Sequence, residues 1–311
     1  MDATAREWAP EHEVGPDLAA RLVAERLPEF RGVAMEPLGI GWDNTVFVAG
    51  GEWVFRFPRR SIAVPLIERE IAALPVLGPR LPLPIPAPEY VARGGSPDFP
   101  WPFWGARMVP GRELAEAGPG DGARERAAAG AGRFLRALHD PVLVPRVDLP
   151  SDPLRRGDAP YRAGLARTRL QALAEQGLWE PDPAAWALLD AAPGAPPPGG
   201  TAVCHGDLHA RHLMIGDDGI AAGVIDWGDV CLADPAVDLS LAYGAFAGTA
   251  RAVLLEAYGR PVPPERELAA RVLAVFLCAA LAQYAAAEGH RMLLAEALTG
   301  IGRAARDCRE R

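Results

Sequence analysis

The sequence predicts an α+β protein of two lobes: a small antiparallel-sheet lobe with one packed helix over residues 1-109, and a larger, mainly helical lobe over residues 110-311. Three observations predict it. Short β-branched and aromatic runs separated by glycine turns fill the first third of the chain. After Pro110-Gly111 the composition turns alanine-rich, with apolar residues three and four apart. No repeat of 20–50 residues points to a solenoid. With 311 residues, half of them hydrophobic, the chain can build two modest cores.

The elements follow in order. Asp17 to Leu27 has helical spacing and stops before Pro28. Val33–Leu38, Thr45–Ala49 and Glu52–Phe57 read as strands, punctuated by Gly39, Gly41 and the pair Gly50-Gly51. Ile62 to Leu77 suits a helix entered through Pro65. A proline-rich stretch then leads to strands near Glu89–Ala92 and Phe103–Val109, and Pro110-Gly111 forms the hinge. In the second lobe, Gly122–His139, Tyr161–Gln176 and Ala184–Ala192 are helical, and Pro193 to Gly200 is a loop. Thr201–Cys204 is a short strand; Leu213–Ile215 and Ala222–Ile225 form a hairpin across Gly216-Asp217-Asp218-Gly219. From Pro235 onward the pattern is helical.

Composition excludes several function classes. A net charge of −8 argues against a nucleic-acid binder and is compatible with a cationic small molecule. The first residues are charged and lack an apolar centre, so no secretory signal is expected. No uninterrupted apolar run reaches about 18 residues, so no membrane span is expected, and Val272 to Ala287 reads as a core helix. The four cysteines lack C-x-x-C spacing, which suits a reducing cytoplasm. All 32 Lys+Arg residues are arginine. A Walker-A loop and Schiff-base chemistry are therefore excluded, and any phosphate clamp must use arginine.

The chemistry concentrates in His205-Gly206-Asp207-Leu208, followed by His212 and then Ile225-Asp226-Trp227-Gly228. Apart from Gly206, His212 and Trp227, these segments reproduce the H-R-D-L-x-x-x-N and D-F-G patterns of kinases. Asp207 is the candidate base beside an acceptor hydroxyl, and Asp226, at the end of an apolar strand, is the stronger of two candidate magnesium ligands. His212 replaces an asparagine ligand, and imidazole suits zinc better than magnesium. His205 is expected to hold the loop from beneath. The triplet His205, His209, His212 leaves a zinc site open as a rival, though no H-E-x-x-H pattern is present.

Upstream, Gly39-Ile40-Gly41-Trp42-Asp43-Asn44-Thr45-Val46 matches a phosphate-covering loop except at Asn44. Arg56, in Trp53-Val54-Phe55-Arg56, stands where a kinase strand carries its phosphate-binding lysine; guanidinium also suits phosphate. Glu70, or else Glu68, is placed to orient it. Asp234 precedes Pro235 as a helix cap, and Asp238 is one turn in, where it can reach back to the amides of the catalytic loop.

His205-Gly206-Asp207-Leu208-His209-Ala210-Arg211-His212, Gly223-Val224-Ile225-Asp226-Trp227-Gly228-Asp229 and Asp234-Pro235-Ala236-Val237-Asp238 together resemble the aminoglycoside phosphotransferase family. The Phe55-Arg56-Phe57-Pro58 strand and His212 resemble its macrolide 2′- and aminoglycoside 2″-phosphotransferase branches. The resemblance implies a protein-kinase-like fold with a nucleotide-binding lobe over residues 1-109 and a catalytic, metal- and substrate-binding lobe over residues 110-311. It implies transfer of phosphate from ATP or GTP, with Mg2+, to a hydroxyl of an antibiotic-like small molecule: Asp207 is the base, and His212 and Asp226 hold the metal. Gly39, Gly41, Asn44, Arg56 and Glu70 face the phosphates, and the backbone of Met108 and Val109 meets the base of the nucleotide. A metabolite kinase for an amino alcohol, homoserine or a sugar, and a kinase-like binding protein without turnover, remain alternatives. A cytoplasmic monomer or weak dimer is expected. Asp229, Glu288 and Glu296 are candidates to receive amines; Phe276, Leu277, Tyr284 and Met292 would instead suit a macrolide.

Overall fold

The computed structural model describes residues 10–41, 43–93, 98–118, 121–197 and 199–306. Trp42 of the glycine loop and Cys308 lie outside these residues. Two compact units emerge, one formed by residues up to Pro79 with Ile85–Val109, the other by Arg80–Pro84 with Pro110 to the C-terminus.

The first unit is built on a five-stranded antiparallel sheet. Its strands are β1 (Met35–Ile40), β2 (Asn44–Ala49), β3 (Trp53–Pro58), β4 (Tyr90–Ala92) and β5 (Phe103–Arg107), in the order β1-β2-β3-β5-β4. Strand alternation decides what each face does. Phe55 and Phe57 of β3 point into a cluster with Phe47 and with Ala19, Leu22 and Val23 of helix α1 (Pro16–Arg26). Val54 lies on the opposite face, with Ile67 and Ile71 of helix α2 (Val64–Leu77). Arg56 shares that face by the period of two, so the strand delivers it to α2. A turn of 3₁₀ helix, Ser61–Ala63, precedes α2 where the sequence suggested continuous helix from Ile62.

The second unit opens with β6 (Arg112–Glu113), α3 (Leu114–Ala117), α4 (Asp121–Leu138), α5 (Ala159–Glu175) and α6 (Pro183–Ala191). Then come β7 (Ala202–Cys204), β8 (Leu213–Ile215), β9 (Ala221–Val224) and β10 (Cys231–Ala233). Four helices complete it: α7 (Ala236–Gly244), α8 (Gly248–Tyr258), α9 (Pro264–Glu288) and α10 (Arg291–Ala305). The β8–β9 hairpin falls where the Gly-Asp-Asp-Gly turn put it. β6 joins its outer edge, and β10 pairs with β7. Neither β6 nor β10 was legible in the sequence, because two or three residues show no alternation.

Gly111, the second residue of the expected Pro110-Gly111 hinge, is shaped by packing. Its φ is +105°, and a Cβ there would stand 2.7 Å from the Ile215 carbonyl oxygen. Glycine lets the chain pass against β8 in a conformation that a side chain would strain. Among the described residues, α9 alone has the length and apolarity of a bilayer-spanning helix, although charged and polar residues interrupt its apolar run. Its apolar residues Ala270, Val272, Leu273, Val275 and Ala279 are nevertheless buried in the protein, against α5, α7 and α10.

Candidate active site

The segment His205 to His212 leaves β7 as a loop and returns into β8, and its shape is imposed by groups beneath it. Asp238, fully buried in the first turn of α7, accepts the backbone N–H of His205 at 2.8 Å and of Gly206 at 3.0 Å. His139 donates to it from Nε2 at 3.2 Å. The reach-back expected of Asp238 is thus found. Burial opposes its charge, but the hydrogen bond and charge of His139 hold the carboxyl below its ordinary value. His205 accepts the Asp207 N–H on Nδ1 at 3.2 Å and donates from Nε2 to the Ile225 carbonyl at 2.9 Å, joining the loop to the end of β9. Both nitrogens are occupied, so His205 is a brace and not a metal ligand. Asp234 caps α7 by accepting the Ala236 N–H at 2.8 Å.

Gly206 explains why the kinase arginine is missing. Its φ is +88°, and a Cβ would collide with the Asp229 carbonyl oxygen, so no side chain fits.

Asp238→Asn is expected to destabilise the protein by about 2–4 kcal/mol, since one amide oxygen cannot serve two backbone donors and the imidazole. A carboxyl depressed in the folded state stabilises above its unfolded value of about 3.9, and that contribution is lost as pH falls through the folded value. The gap in thermal midpoint between wild type and Asp238→Asn should therefore narrow below about pH 4.

Asp207 projects from this loop with both oxygens engaged. Oδ1 accepts from Arg156 Nη1 at 2.9 Å, and Oδ2 lies 3.6 Å from His209 Nε2. Burial works against the carboxylate, but Arg156, His209 and His212 outweigh it and hold its pKa far below the usual range. The other end of the same guanidinium binds Asp229 Oδ2 at 2.5 Å. Burial disfavours the charge of Arg156 too, yet the two aspartates keep its pKa above the ordinary value.

Arg156 is the site residue that the sequence did not reveal. It sits in the loop between α4 and α5, in a segment tied to β10 by the Asp152 N–H donating to the Leu232 carbonyl at 2.9 Å. Asp152 in turn accepts the N–H of Arg156 at 2.6 Å and of Gly157 at 2.8 Å. Asp152 and Arg155 have φ of 26° and 53°, left-handed conformations that residues with side chains seldom adopt. Ser151-Asp152-Pro153 and Gly157-Asp158 signal a turn, but nothing local signals where its arginine points.

Asp226 closes the site from the far end of the hairpin, also left-handed at φ 64°. His212 donates from Nδ1 to the Asp207 carbonyl at 2.8 Å, which leaves Nε2 facing Asp226 Oδ2 at 3.4 Å. Burial lowers the pKa of His212, but the hydrogen bond and charge of Asp226 raise it overall. Its ring lies over that of His209, with centroids 3.9 Å apart. His209 is pushed down to about 4 by burial and by His212. Trp227, in the position of the D-F-G phenylalanine, is fully buried against Phe134 and His205.

The donor set fits a hard cation at Asp226, a half-exposed carboxylate; His212 Nε2 stands 3.4 Å from that carboxylate and offers a lone pair to a cation only once its proton has left. For zinc, the sequence triplet loses His205. Ligand atoms of Asp207, His209 and His212 do lie within 4.8 Å of one another, but Arg156 already occupies one oxygen of Asp207.

In the first unit the expected phosphate-side residues also meet. Arg56 Nε is 3.5 Å from Glu70 Oε2, and buried Glu70 accepts from Trp104 Nε1 at 3.0 Å, whereas Glu68 is exposed. With the Asn44 amide oxygen turned to Arg56, it accepts from Nε at 3.1 Å and Nη2 at 2.9 Å. Gly39 lies in β1 and Gly41 follows its last residue, with the Gly41 N–H spent on the Asn44 carbonyl at 2.9 Å. The Met108 N–H is likewise spent, on the Glu52 carbonyl at 2.8 Å, and Val109 is buried.

The residues expected on the acceptor side are distributed differently. Asp229 is taken by Arg156. Glu296 binds Arg124, at 3.1 and 2.8 Å, and Arg303 at 2.6 Å, and Glu288 is exposed at the end of α9. Phe276 is buried and Met292 exposed. Of that apolar quartet, only Leu277 lines the apolar pocket behind Leu208–Ala210, with Leu241, Leu281 and Leu293.

A strand-built unit carrying the Arg56–Glu70 pair and a helical unit with the Asp207 loop and a hairpin-borne carboxylate define a kinase-like phosphotransferase. The model of the phosphotransferase enzyme family (APH) matches residues 34–271, and the chain belongs to that family. Among solved structures, it is similar to the GDP complex of an aminoglycoside 2′-phosphotransferase-IIIa, with a TM-score of 0.66 and 20% identity over 94% of this chain and 99% of that one. It is also similar to macrolide 2′-phosphotransferase MphH from Brachybacterium faecium, with a TM-score of 0.56 and 23% identity over 92% and 98%. At these identities the likeness shows the fold. Among curated proteins, uncharacterized protein YcbJ of Bacillus subtilis (strain 168) is 41% identical over 61 residues, and the match spans 20% of either chain.

Proposed function

We propose that this phosphotransferase moves the γ-phosphoryl group of ATP or GTP to a hydroxyl of a small molecule, with Asp207 as the base. One observation carries the reading: a carboxylate oxygen of Asp207 and a ring nitrogen of His212 lie within 4.8 Å of each other, and His212 Nε2 is 3.4 Å from Asp226 Oδ2, so that base and metal-ligand candidates stand close together. The acceptor hydroxyl is oriented by Asp207 and yields its proton to that carboxylate as its oxygen bonds to phosphorus and the bond to the nucleoside diphosphate breaks. A carboxylate held so strongly ionised is a weak base. That suits a loose transition state, in which the hydroxyl needs orientation first and loses its proton late.

Asp226 and His212 are the residues to hold magnesium, which supplies neutralisation of phosphate charge when bound. Arg56, fixed by Glu70 and Asn44, is the guanidinium that meets phosphate. The GDP found with one solved neighbour and the ADP with another support a nucleotide donor. Kanamycin and gentamicin, bound in two further neighbours, give the first acceptors to screen. The test is transfer of the γ-phosphate of labelled ATP or GTP, with magnesium, to a panel of hydroxyl compounds. Absence of both transfer and magnesium-dependent nucleotide hydrolysis would sink the proposal.

A further inference from the structure

We propose that the acceptor is an anionic hydroxyl compound, whose carboxylate, sulfate or phosphate is bound by Arg162 and Arg169 on the α5 wall beside the catalytic loop. This rests on the phosphotransferase reading above and adds the charge of the substrate to it.

Arg162 and Arg169 stand two helical turns apart on α5, and both lie over the ring of Phe276 in α9, at 4.6 and 5.6 Å from its centroid. Arg162 is anchored through Nε to the Arg155 carbonyl at 3.1 Å and Nη2 to the Leu154 carbonyl at 2.5 Å. Arg169 donates from Nη1 to Gln283 Oε1 at 2.6 Å. Every one of these partners is neutral. Among the described residues, neither guanidinium has a carboxylate within ion-pair distance. Both are half-buried, and burial lowers the pKa of each; at Arg162 the charges of Asp152 and Asp207 offset this only in part. Arg155, which anchors Arg162, directly precedes Arg156, the partner of Asp207 at 2.9 Å. Gln283, the partner of Arg169, directly precedes Tyr284, whose ring lies 5.4 Å from the guanidinium of Arg211 in the same loop as Asp207. Both arginines therefore stand on the side of this unit where phosphoryl transfer is proposed.

The acids that could have received amines are already neutralised or remote. Asp229 is held by Arg156 and Glu296 by two arginines, and Glu288 is exposed at a helix end. A polyamine brought to this wall meets guanidinium groups where it needs carboxylates. An anion meets two guanidinium groups preorganised by their backbone and glutamine anchors; among the described residues, Nη1 of Arg162 and Nε and Nη2 of Arg169 are the nitrogens not spent on those anchors.

The test uses the full-length protein with magnesium and both nucleotides. Acceptors are grouped as hydroxy acids, sugar phosphates, sugar sulfates, neutral polyols and aminoglycosides. Transfer is expected to anionic acceptors, and the three anionic groups identify which anion is taken. For the best of them, Arg162→Gln should raise the acceptor KM at least tenfold while kcat at saturation falls less than threefold, and Arg162→Lys should restore much of the KM. Circular dichroism checks that the variants are folded; should Arg162→Gln fail to fold, Arg169→Gln is read in the same way. Preferential transfer to aminoglycosides, or a rise in nucleotide KM in place of acceptor KM, would overturn the inference and leave the phosphotransferase reading intact. Nucleotide hydrolysis without transfer to any anionic compound would do the same. Loss of both hydrolysis and transfer throughout the panel would overturn the two together.

Discussion

Asp207→Asn is expected to lower kcat by about 10³-fold, within the 10²–10⁴ range of positioned proton acceptors, with little change in nucleotide KM. Asparagine keeps the volume and one acceptor oxygen, so the Arg156 contact can persist. What disappears is the anion that orients the hydroxyl and receives its proton. Steady-state transfer kinetics beside nucleotide binding check this directly. If Asp207→Asn retained more than a tenth of wild-type kcat, Asp207 would be a structural member of the Arg156 bridge, and the base would have to be sought elsewhere.

Arg156→Met is expected to be the most damaging change outside the motif loop. It removes one cation from between two carboxylates and leaves Asp207 and Asp229 facing each other unopposed. Breaking a buried pair by taking one partner costs about 3–5 kcal/mol; the bridge is partly solvated, so about 2–3 kcal/mol is the expected loss. Activity should fall further than stability, because Asp207 loses the contact that fixes its rotamer. Arg156→Lys should recover stability but only part of kcat, since an ammonium cannot span both carboxylates as the planar fork does. Denaturant unfolding and kcat on the same preparations separate the two effects. Equal stability of Arg156→Met and wild type would show that the bridge contributes nothing to the fold.

The chain announced much of this architecture. Strand alternation in Trp53–Pro58 and the helical spacing of Val64–Leu77 were enough to bring Arg56 to Glu70, because a period of two and a helix face both have a direction. Asp238 was readable as a partner of the loop amides from its position one turn into a helix. The Gly216–Gly219 turn fixed the hairpin that delivers Asp226. What stayed hidden depends on contacts between distant segments. Arg156 reaches Asp207 and Asp229 from a loop whose course is set by β10, a three-residue strand with no pattern of its own. The carboxylates offered to amines were visible, but Arg156, which neutralises Asp229, and Arg124, which joins Arg303 at Glu296, are far from them in sequence. Residue type alone could not show that the acids of this wall were already paired.

The bond from Asp238 to the first two amides of the catalytic loop also has a kinetic consequence. Most loops open locally at small free-energy cost, and their amides exchange with solvent quickly. Here the N–H groups of His205 and Gly206 end on a carboxylate inside α7, whose residues are almost all buried. Those two hydrogens cannot leave unless α7 separates from the loop or the helical unit opens. Their exchange should be as slow as that of core helix amides, making the Asp207 loop part of the last cooperative unit to unfold.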